Sequence, residues 1–145
     1  MPTAAICALF FLSVLACGAR AAEPEVWSAL VLATNEDHPR EAPASLRKFQ
    51  QKLENVFGYN QFELVGQHTE LMDDASERWL IPSKVFCLRV CSKPAQKNGY
   101  AMNLELFQDK KMLARFEAKL GEQSPLFIRG PLYGGGQLIV LMMVK

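Results

Sequence analysis

The stretch VWSALVLAT, residues Val26–Thr34, is a nearly uninterrupted apolar run rich in Val, Leu and Trp. An apolar run of this length, without two-residue alternation, is typical of a strand that is buried on both faces. The run stops at the charged segment Asn35–Glu41, which contains a proline and predicts a loop. The stretch therefore predicts a central strand of a sheet.

A helix is predicted over Ala44–Phe57. Apolar residues recur there at the spacing of one helical face: Leu46, Phe49, Leu53, Val56 and Phe57. Pro43 suits the first helical turn, and Gly58 can adopt the left-handed conformation that ends a helix. The opposite face carries charged and amide side chains, among them Arg47 and Lys48, and we interpret it as a solvated face rather than a binding site.

After the helix, the hydrophobic pattern changes to the two-residue period of β-strands. The segment from Phe62 to about Met72 alternates in this way and predicts one strand. A short strand at Trp79–Ile81 is broken by Pro82, and Ser83–Cys91 resumes as a strand with Phe86, Leu88 and Val90 on one face. We expect that face to contact the core.

The best candidate for a β-hairpin is formed by Tyr100–Phe107 and Lys111–Leu120, joined by residues 108–110. Each strand carries a row of apolar residues: Met102, Leu104 and Leu106 on the first, and Met112, Ala114, Phe116, Ala118 and Leu120 on the second. A short strand, Pro125–Ile128, ends before Gly130 and Pro131, and a mobile glycine-rich connection leads into the last strand, Gln137–Val144.

This order of elements predicts an α+β fold, in which one amphipathic helix packs on a mainly antiparallel sheet of about five to seven strands in the order β-α-β-β-β-β-β. A β-sandwich with the helix as a side element is the alternative. Because the sequence shows no internal repeat and no linker, residues 22–145 are predicted to form a single domain.

The N-terminal segment has the features of an export signal. Ala4–Ala16 is free of charge and shorter than the ~20 apolar residues of a transmembrane helix, and Ala19-Arg20-Ala21 supplies the A-x-A pattern of a cleavage site. These features predict a signal peptide over residues 1–21, although Met1–Cys7 carries no Lys or Arg. Val14–Cys17 also fits a bacterial lipobox, in which case Cys17 would be acylated and would anchor the protein to a membrane.

The charge balance excludes some classes of partner. The chain carries 16 Lys and Arg against 15 Asp and Glu, and loss of Arg20 with the signal would make the two counts equal. A nucleic-acid-binding protein needs a basic surface, so we expect no nucleic-acid partner and no attraction to an anionic membrane. We also expect no transmembrane span in the mature chain, because Leu138–Val144 is only long enough for a strand.

The spacing of the cysteines and histidines does not match that of a metal site. Cys87 and Cys91 lie four residues apart, about 13 Å on an extended strand, whereas a disulfide needs Cα atoms within about 7 Å. We interpret them as reduced, half-buried thiols, with an intermolecular or local bridge as the alternative. His68 has no paired ligand spacing around it, and His38 is interpreted as a solvated loop residue, so no metal or other cofactor is predicted.

Catalytic motifs are also missing from the sequence. No serine lies in a G-x-S-x-G elbow, and the glycines at 134–136 precede a strand pattern instead of the Lys and helix of a phosphate-binding loop. A small hydrolase that uses His68 with Asp73 or Asp74 is therefore retained only as an alternative.

The segment after Phe127 is the candidate recognition surface. It places Arg129 and Tyr133, two residue types enriched at interface hot spots, beside a glycine-rich loop. The predicted binding residues are Arg129, Tyr133, Gly134, Gly135 and Gly136.

Three strings resemble small exported bacterial proteins of uncharacterised function: Asn55–Glu70, Trp79–Lys84 and Leu126–Val140. This resemblance in layout implies no activity and no site residues. Together with the export signal and the missing catalytic motifs, the pattern predicts a non-enzymatic binding or assembly module of the bacterial cell envelope, with another envelope protein as a possible partner. A small hydrolase, or a carrier with an apolar cavity between helix and sheet, is the alternative.

Overall fold

A computed structural model describes residues 25–71, 77–80, 86–93, 97, 99–122 and 124–145, with only the backbone described for 77–80. The strands in this part of the chain are β1 (Glu25–Thr34), β2 (Gln61–Leu71), β3 (Glu77–Leu80), β4 (Phe86–Ser92), β5 (Tyr100–Gln108), β6 (Lys111–Leu120), β7 (Leu126–Tyr133) and β8 (Gly136–Val144). A single 3-10 turn, Arg47–Phe49, leads into the helix α1 (Gln50–Phe57).

The strands form two four-stranded antiparallel sheets. The first sheet has the order β2-β1-β8-β7 and the second sheet has the order β3-β4-β5-β6. Strand β1 lies between β2 and β8, so the prediction of a central strand is confirmed. Strands β1 and β8 pair directly and antiparallel, although they are far apart in the sequence.

The two faces of β1 contact different layers. Val26 and Leu30 face the second sheet, whereas Trp27, Ala29 and Val31 face the helix. Strand β8 alternates in the same way, with its even-numbered apolar residues towards the second sheet and Ile139 and Leu141 towards the helix. The molecule therefore has three layers: helix, first sheet and second sheet.

Each pair of layers encloses an apolar core. The inter-sheet core contains Val26, Leu30, Phe86, Leu88, Val90, Met102, Leu104, Leu106, Leu120, Leu138, Val140, Met142 and Val144. The helix-side core contains Trp27, Ala29, Val31, Ala33, Ala42, Leu46, Phe49, Leu53, Phe62, Ile139 and Leu141. Burial of these side chains is the main favourable contribution to folding.

The α+β prediction is confirmed at the level of one helix on mainly antiparallel strands, but the single sheet of five to seven strands is wrong. Two sheets form because β1 and β8 are apolar on both faces and one short helix covers only one of them. The second sheet covers the other face, so its packing matches the sandwich alternative, with the helix at the side.

The helix is shorter than its apolar pattern predicted. Instead of starting at Ala44, the chain first makes a turn in which the carbonyl of Pro43 accepts hydrogen bonds from the amides of Leu46 and Arg47. The predicted end is confirmed, because Gly58 adopts the left-handed conformation with φ 74°. The predicted core-facing Val56 is half exposed on the last turn of this short helix.

The predicted hairpin is confirmed as β5 and β6, with Asp109 and Lys110 in a two-residue turn at positive φ. The apolar row predicted on β6 is interrupted at Met112. The register shifts at Leu106 and Phe107, so Met112 is exposed while the rest of its row packs on the inter-sheet core.

The last hairpin also differs from the prediction. Strand β7 continues through Gly130 and Pro131, where a register shift in the pairing with β8 accommodates the proline. Tyr133 pairs directly with Gly136, so the turn consists of Gly134 and Gly135 alone. The predicted mobile connection is therefore a tight turn.

Some predictions fall outside the described residues. These are the signal peptide over residues 1–21, the lipidation site Cys17, and the carboxylates Asp73 and Asp74. They remain predictions. No helix in the described ranges is long and apolar enough to cross a membrane.

Candidate ligand-binding cleft

A cleft of about 600 Å³ opens beside the helix-side core, where the N-terminal part of β1 meets the turn before α1. Its lining residues come from three distant segments of the chain: Trp27 of β1, Ala44, Ser45, Arg47 and Lys48 before the helix, and Met143 and Lys145 at the end of β8. The β1–β8 register places Trp27 directly opposite Met143, which brings the two apolar side chains onto one face.

Trp27 is held firmly in the floor of the cleft. Its ring stacks on the ring of Phe49, with centroids 5.8 Å apart and planes inclined by 16°. Its indole N–H donates a hydrogen bond to Oε1 of Gln67 at 3.2 Å. The side chain is only 7% exposed, so the floor is in place without any ligand to organise it.

The rim of the cleft is basic. Arg47 and Lys48 are exposed residues of the 3-10 turn, and the ammonium of Lys48 lies 4.8 Å from the centroid of the Phe49 ring. Nε of Arg47 forms an ion pair with Glu41 at 2.9 Å. Lys145, the residue after β8, also lines the cleft.

The size of the cleft suits a small-molecule site. Its volume lies within the range of about 300–1,000 Å³ that small-molecule sites occupy. The seven lining residues include no His, Asp, Glu or Cys.

Arg129, a predicted binding residue, is engaged within the fold. Its guanidinium lies 5.1 Å from the ring of Phe57, and Nη1 donates to Oε1 of Gln137 at 3.5 Å. Gln137 is itself buried and donates from Nε2 to the carbonyl of Gly130 at the β7 irregularity. Arg129 therefore joins the helix to the last hairpin.

The other predicted binding residues lie at the tip of the β7–β8 hairpin, away from the cleft lining. The Tyr133 ring packs edge-on against Phe86, with centroids 4.9 Å apart. A Cβ at Gly136 would lie 2.4 Å from the carbonyl oxygen of Ala33, so this glycine permits a close approach to β1. The role of Arg129, Tyr133, Gly134, Gly135 and Gly136 in binding stays a prediction.

His68 has a carboxylate partner, but this is neither of the predicted ones. Its Nε2 lies 2.8 Å from Oε2 of Glu70 on the same strand, β2. The serine directly across the ladder, Ser28, is fully buried, and its hydroxyl donates to the backbone carbonyl of His68 at 3.4 Å. A substrate cannot reach that hydroxyl, so the pair has no nucleophile there.

Cys87 and Cys91 are free and half buried. Phe86, Leu88 and Val90 face the inter-sheet core as predicted, so both cysteines lie on the outer face of β4. Burial raises the pKa of the Cys87 thiol above its ordinary value of 9.0. Within the described ranges, no three His, Cys, Asp or Glu residues gather in a way that could hold a metal ion.

An ionic cluster on the outer face of the second sheet was not predicted from the sequence. Glu105 of β5 is buried and accepts hydrogen bonds from Nε of Arg89 on β4 at 2.7 Å and from Nε of Arg115 on β6 at 2.9 Å. These bonds lower the pKa of its carboxyl group. The β5–β6 register places Glu105 opposite Arg115. The Glu105–Arg115 pair could therefore have been predicted from the hairpin in the sequence.

Sequence reasoning also missed the cleft residues. The sequence pattern places Trp27 in a buried strand and predicts a solvated face for Arg47 and Lys48, so neither pattern points to a cleft. Comparisons with protein-family models, with curated proteins and with solved structures gave no match, so function has to be inferred from the geometry of the molecule.

Proposed function

We propose that this protein is a non-enzymatic binding module and that the cleft lined by Trp27 and Met143 is its binding site for a small ligand with an apolar body. The observation that carries the proposal is the open cleft of about 600 Å³ beside an otherwise buried helix-side core. This arrangement corresponds to the carrier considered from the sequence, with its cavity between helix and sheet.

The physical argument is that the half-buried Met143, with the small exposed part of Trp27, supplies a preformed apolar surface. An apolar ligand that covers this surface gains about 25 cal/mol for each Å² removed from water. Because the indole is already fixed by Phe49 and Gln67, little side-chain entropy is lost when the ligand binds.

The export signal predicted at residues 1–21 supports a place for this binding module in the bacterial cell envelope. A hydrolase receives less support, because the His68–Glu70 pair faces a buried serine whose hydroxyl already donates to the backbone. The cleft lining has no acid–base pair either.

A fluorescence titration with N-phenyl-1-naphthylamine, an uncharged probe that brightens in apolar sites, tests the proposal. We expect saturable brightening with the unaltered protein. The variant Met143→Lys places a charge on the cleft floor and should weaken probe binding at least tenfold. Met112→Lys is the matched control, because Met112 is an exposed methionine on β6 of the second sheet. Equal binding by both variants would show that the probe binds elsewhere.

A second candidate function, docking of another envelope protein, is favoured by the tip of the β7–β8 hairpin. Leu132 there is 77% exposed and lies next to the partly exposed Tyr133. Strand β7 is an edge of the first sheet, and edge strands are common docking sites. A pull-down from envelope extract with the protein and its Leu132→Asp variant tests this idea. If the same partners are recovered with both, the hairpin tip is not the docking surface.

A further inference from the structure

We infer that the ligand of the cleft is an amphipathic anion, whose acidic head group lies between Arg47 and Lys48 while its apolar body covers Trp27 and Met143. This inference rests on the proposed function and adds the chemical class of the ligand. The supporting observation is that basic side chains lie at the rim of the cleft, whereas apolar side chains form its floor.

The charge on the cleft is of one sign. Arg47, Lys48 and Lys145 line it, and no lining residue is acidic. The two cations before the helix, Arg47 and Lys48, are both exposed at the rim. A basic rim above an apolar floor attracts an anion that carries a hydrocarbon body, and it gives a neutral hydrocarbon no such advantage.

The guanidinium of Arg47 has further N–H donors that could bind such a head group. Glu41 contacts Nε, and the two terminal nitrogens of the fork remain as donors in the described contacts. An arginine fork and a neighbouring ammonium suit carboxylate and phosphate oxygens alike. Glu41 competes with the ligand for the same arginine, which makes it a useful site for a test.

Lys48 joins the two parts of the site. Its ammonium lies over the Phe49 ring, and this ring stacks on Trp27 in the floor. A head group near Lys48 therefore lies within a short distance of the apolar floor, as the head and body of a single amphiphile require. Both cations are exposed, so each contributes only about a two- to fivefold gain in affinity.

Displacement of N-phenyl-1-naphthylamine by three decyl compounds with the same apolar body tests the inference. The compounds are decanol, decanoate and decyl phosphate, each below its micelle-forming concentration. We expect both anions to bind about five- to tenfold more tightly than decanol, and we expect added salt to reduce that advantage. A preference for one of the two anions distinguishes a carboxylate ligand from a phosphate ligand.

Charge variants locate the head group. Arg47→Gln combined with Lys48→Gln should lower the affinity for decanoate and decyl phosphate to about that for decanol. The matched control, Lys111→Gln combined with Lys119→Gln, makes the same change of net charge with exposed residues of β6 and should keep the preference. Glu41→Gln frees Arg47 and should raise decanoate affinity about two- to threefold.

The outcomes separate this inference from the proposed function. If decanol binds as tightly as the two anions, the head-group site is wrong while the apolar site stands. The same holds if the two double variants show the same preference for the anions. If the probe does not bind the unaltered protein at all, the apolar site itself is wrong and the inference falls with it.

Discussion

The ring of Trp27 on β1 stacks on the ring of Phe49 at the start of the helix, 5.8 Å apart between centroids. Trp27 is the floor of the cleft, and Phe49 belongs to the 3-10 turn that carries its basic rim. The same contact therefore attaches the start of the helix to the first sheet beside the cleft.

Phe49→Ala should destabilise the protein by about 3–5 kcal/mol, because a buried aromatic side chain is lost and a cavity is left behind. The loss also removes the edge contact of Phe49 with Phe127. Urea unfolding followed by circular dichroism measures the change. Val56→Ala on the same helix is the control and should shift stability by less than about 0.5 kcal/mol, since Val56 is 53% exposed. Similar losses in both variants would contradict this account of how the helix packs.

Glu105→Gln should reduce the acid sensitivity of the fold. The guanidinium groups of Arg89 and Arg115 hold the pKa of the Glu105 carboxyl below its ordinary value of 4.5. A carboxyl whose pKa is lowered by folding stabilises the protein above its ordinary pKa, and that contribution is lost as the pH falls through the lowered value. The amide of the variant cannot titrate, so this pH-dependent contribution is absent.

The measurement is the urea midpoint from about pH 7 down to about pH 3. The unaltered protein should lose more stability than Glu105→Gln over the acidic part of this range. Glu117→Gln, an exposed carboxyl on β6, is the control and should follow the unaltered protein. Parallel curves for all three proteins would show that the ionic cluster does not contribute to acid sensitivity.

Two glycines of the last hairpin should respond differently to substitution. Gly136→Ala places a Cβ 2.4 Å from the Ala33 carbonyl oxygen and 2.8 Å from Cγ2 of Thr34, so the backbone has to shift, at a cost of about 2 kcal/mol or more. Gly134 lies in a tight turn at φ 55° with open space around its Cα. Asn tolerates that conformation, so Gly134→Asn should change stability by less than about 0.5 kcal/mol. Thermal unfolding of both variants checks the order, and an equal loss would contradict the close packing of Gly136 on β1.

Cys87 should react slowly with iodoacetamide at about pH 7, because burial raises its pKa and leaves little of the reactive thiolate. Peptide mass spectrometry of the native protein, compared with protein unfolded in urea, gives the rate for this residue alone. We expect unfolding to accelerate alkylation of Cys87. Equal rates in the two states would mean that the thiol is not protected by the fold.

The strand pattern carried most of the fold information in the sequence. Val26–Thr34 is predictable as a central strand because it is apolar on both faces. Gly58 is predictable as a helix end because glycine adopts the left-handed conformation freely. The same two-faced burial of β8 implies a second covering layer, which a single short helix cannot supply. The second sheet could have been anticipated from this mismatch.

The cleft could not be predicted in the same way. Trp27 and Met143 come together only through the register of β1 with β8, and the sequence does not specify the pairing of such distant strands. The short 3-10 turn then directs Arg47 and Lys48 to the cleft, whereas a helix starting at Ala44 would have placed them on a solvated face. Register and helix start are set by tertiary packing, which sequence periodicity reports only indirectly.

The most direct test of the binding site is a two-dimensional ¹⁵N–¹H NMR titration of the protein with decanoate. The account predicts saturable shifts of the Trp27 indole signal and of the Ser45, Arg47 and Met143 amides, while the Leu132–Gly135 hairpin tip and the outer face of β5 stay unchanged. Shifts centred on the hairpin tip or on the second sheet, with the Trp27 indole signal unmoved, would contradict it.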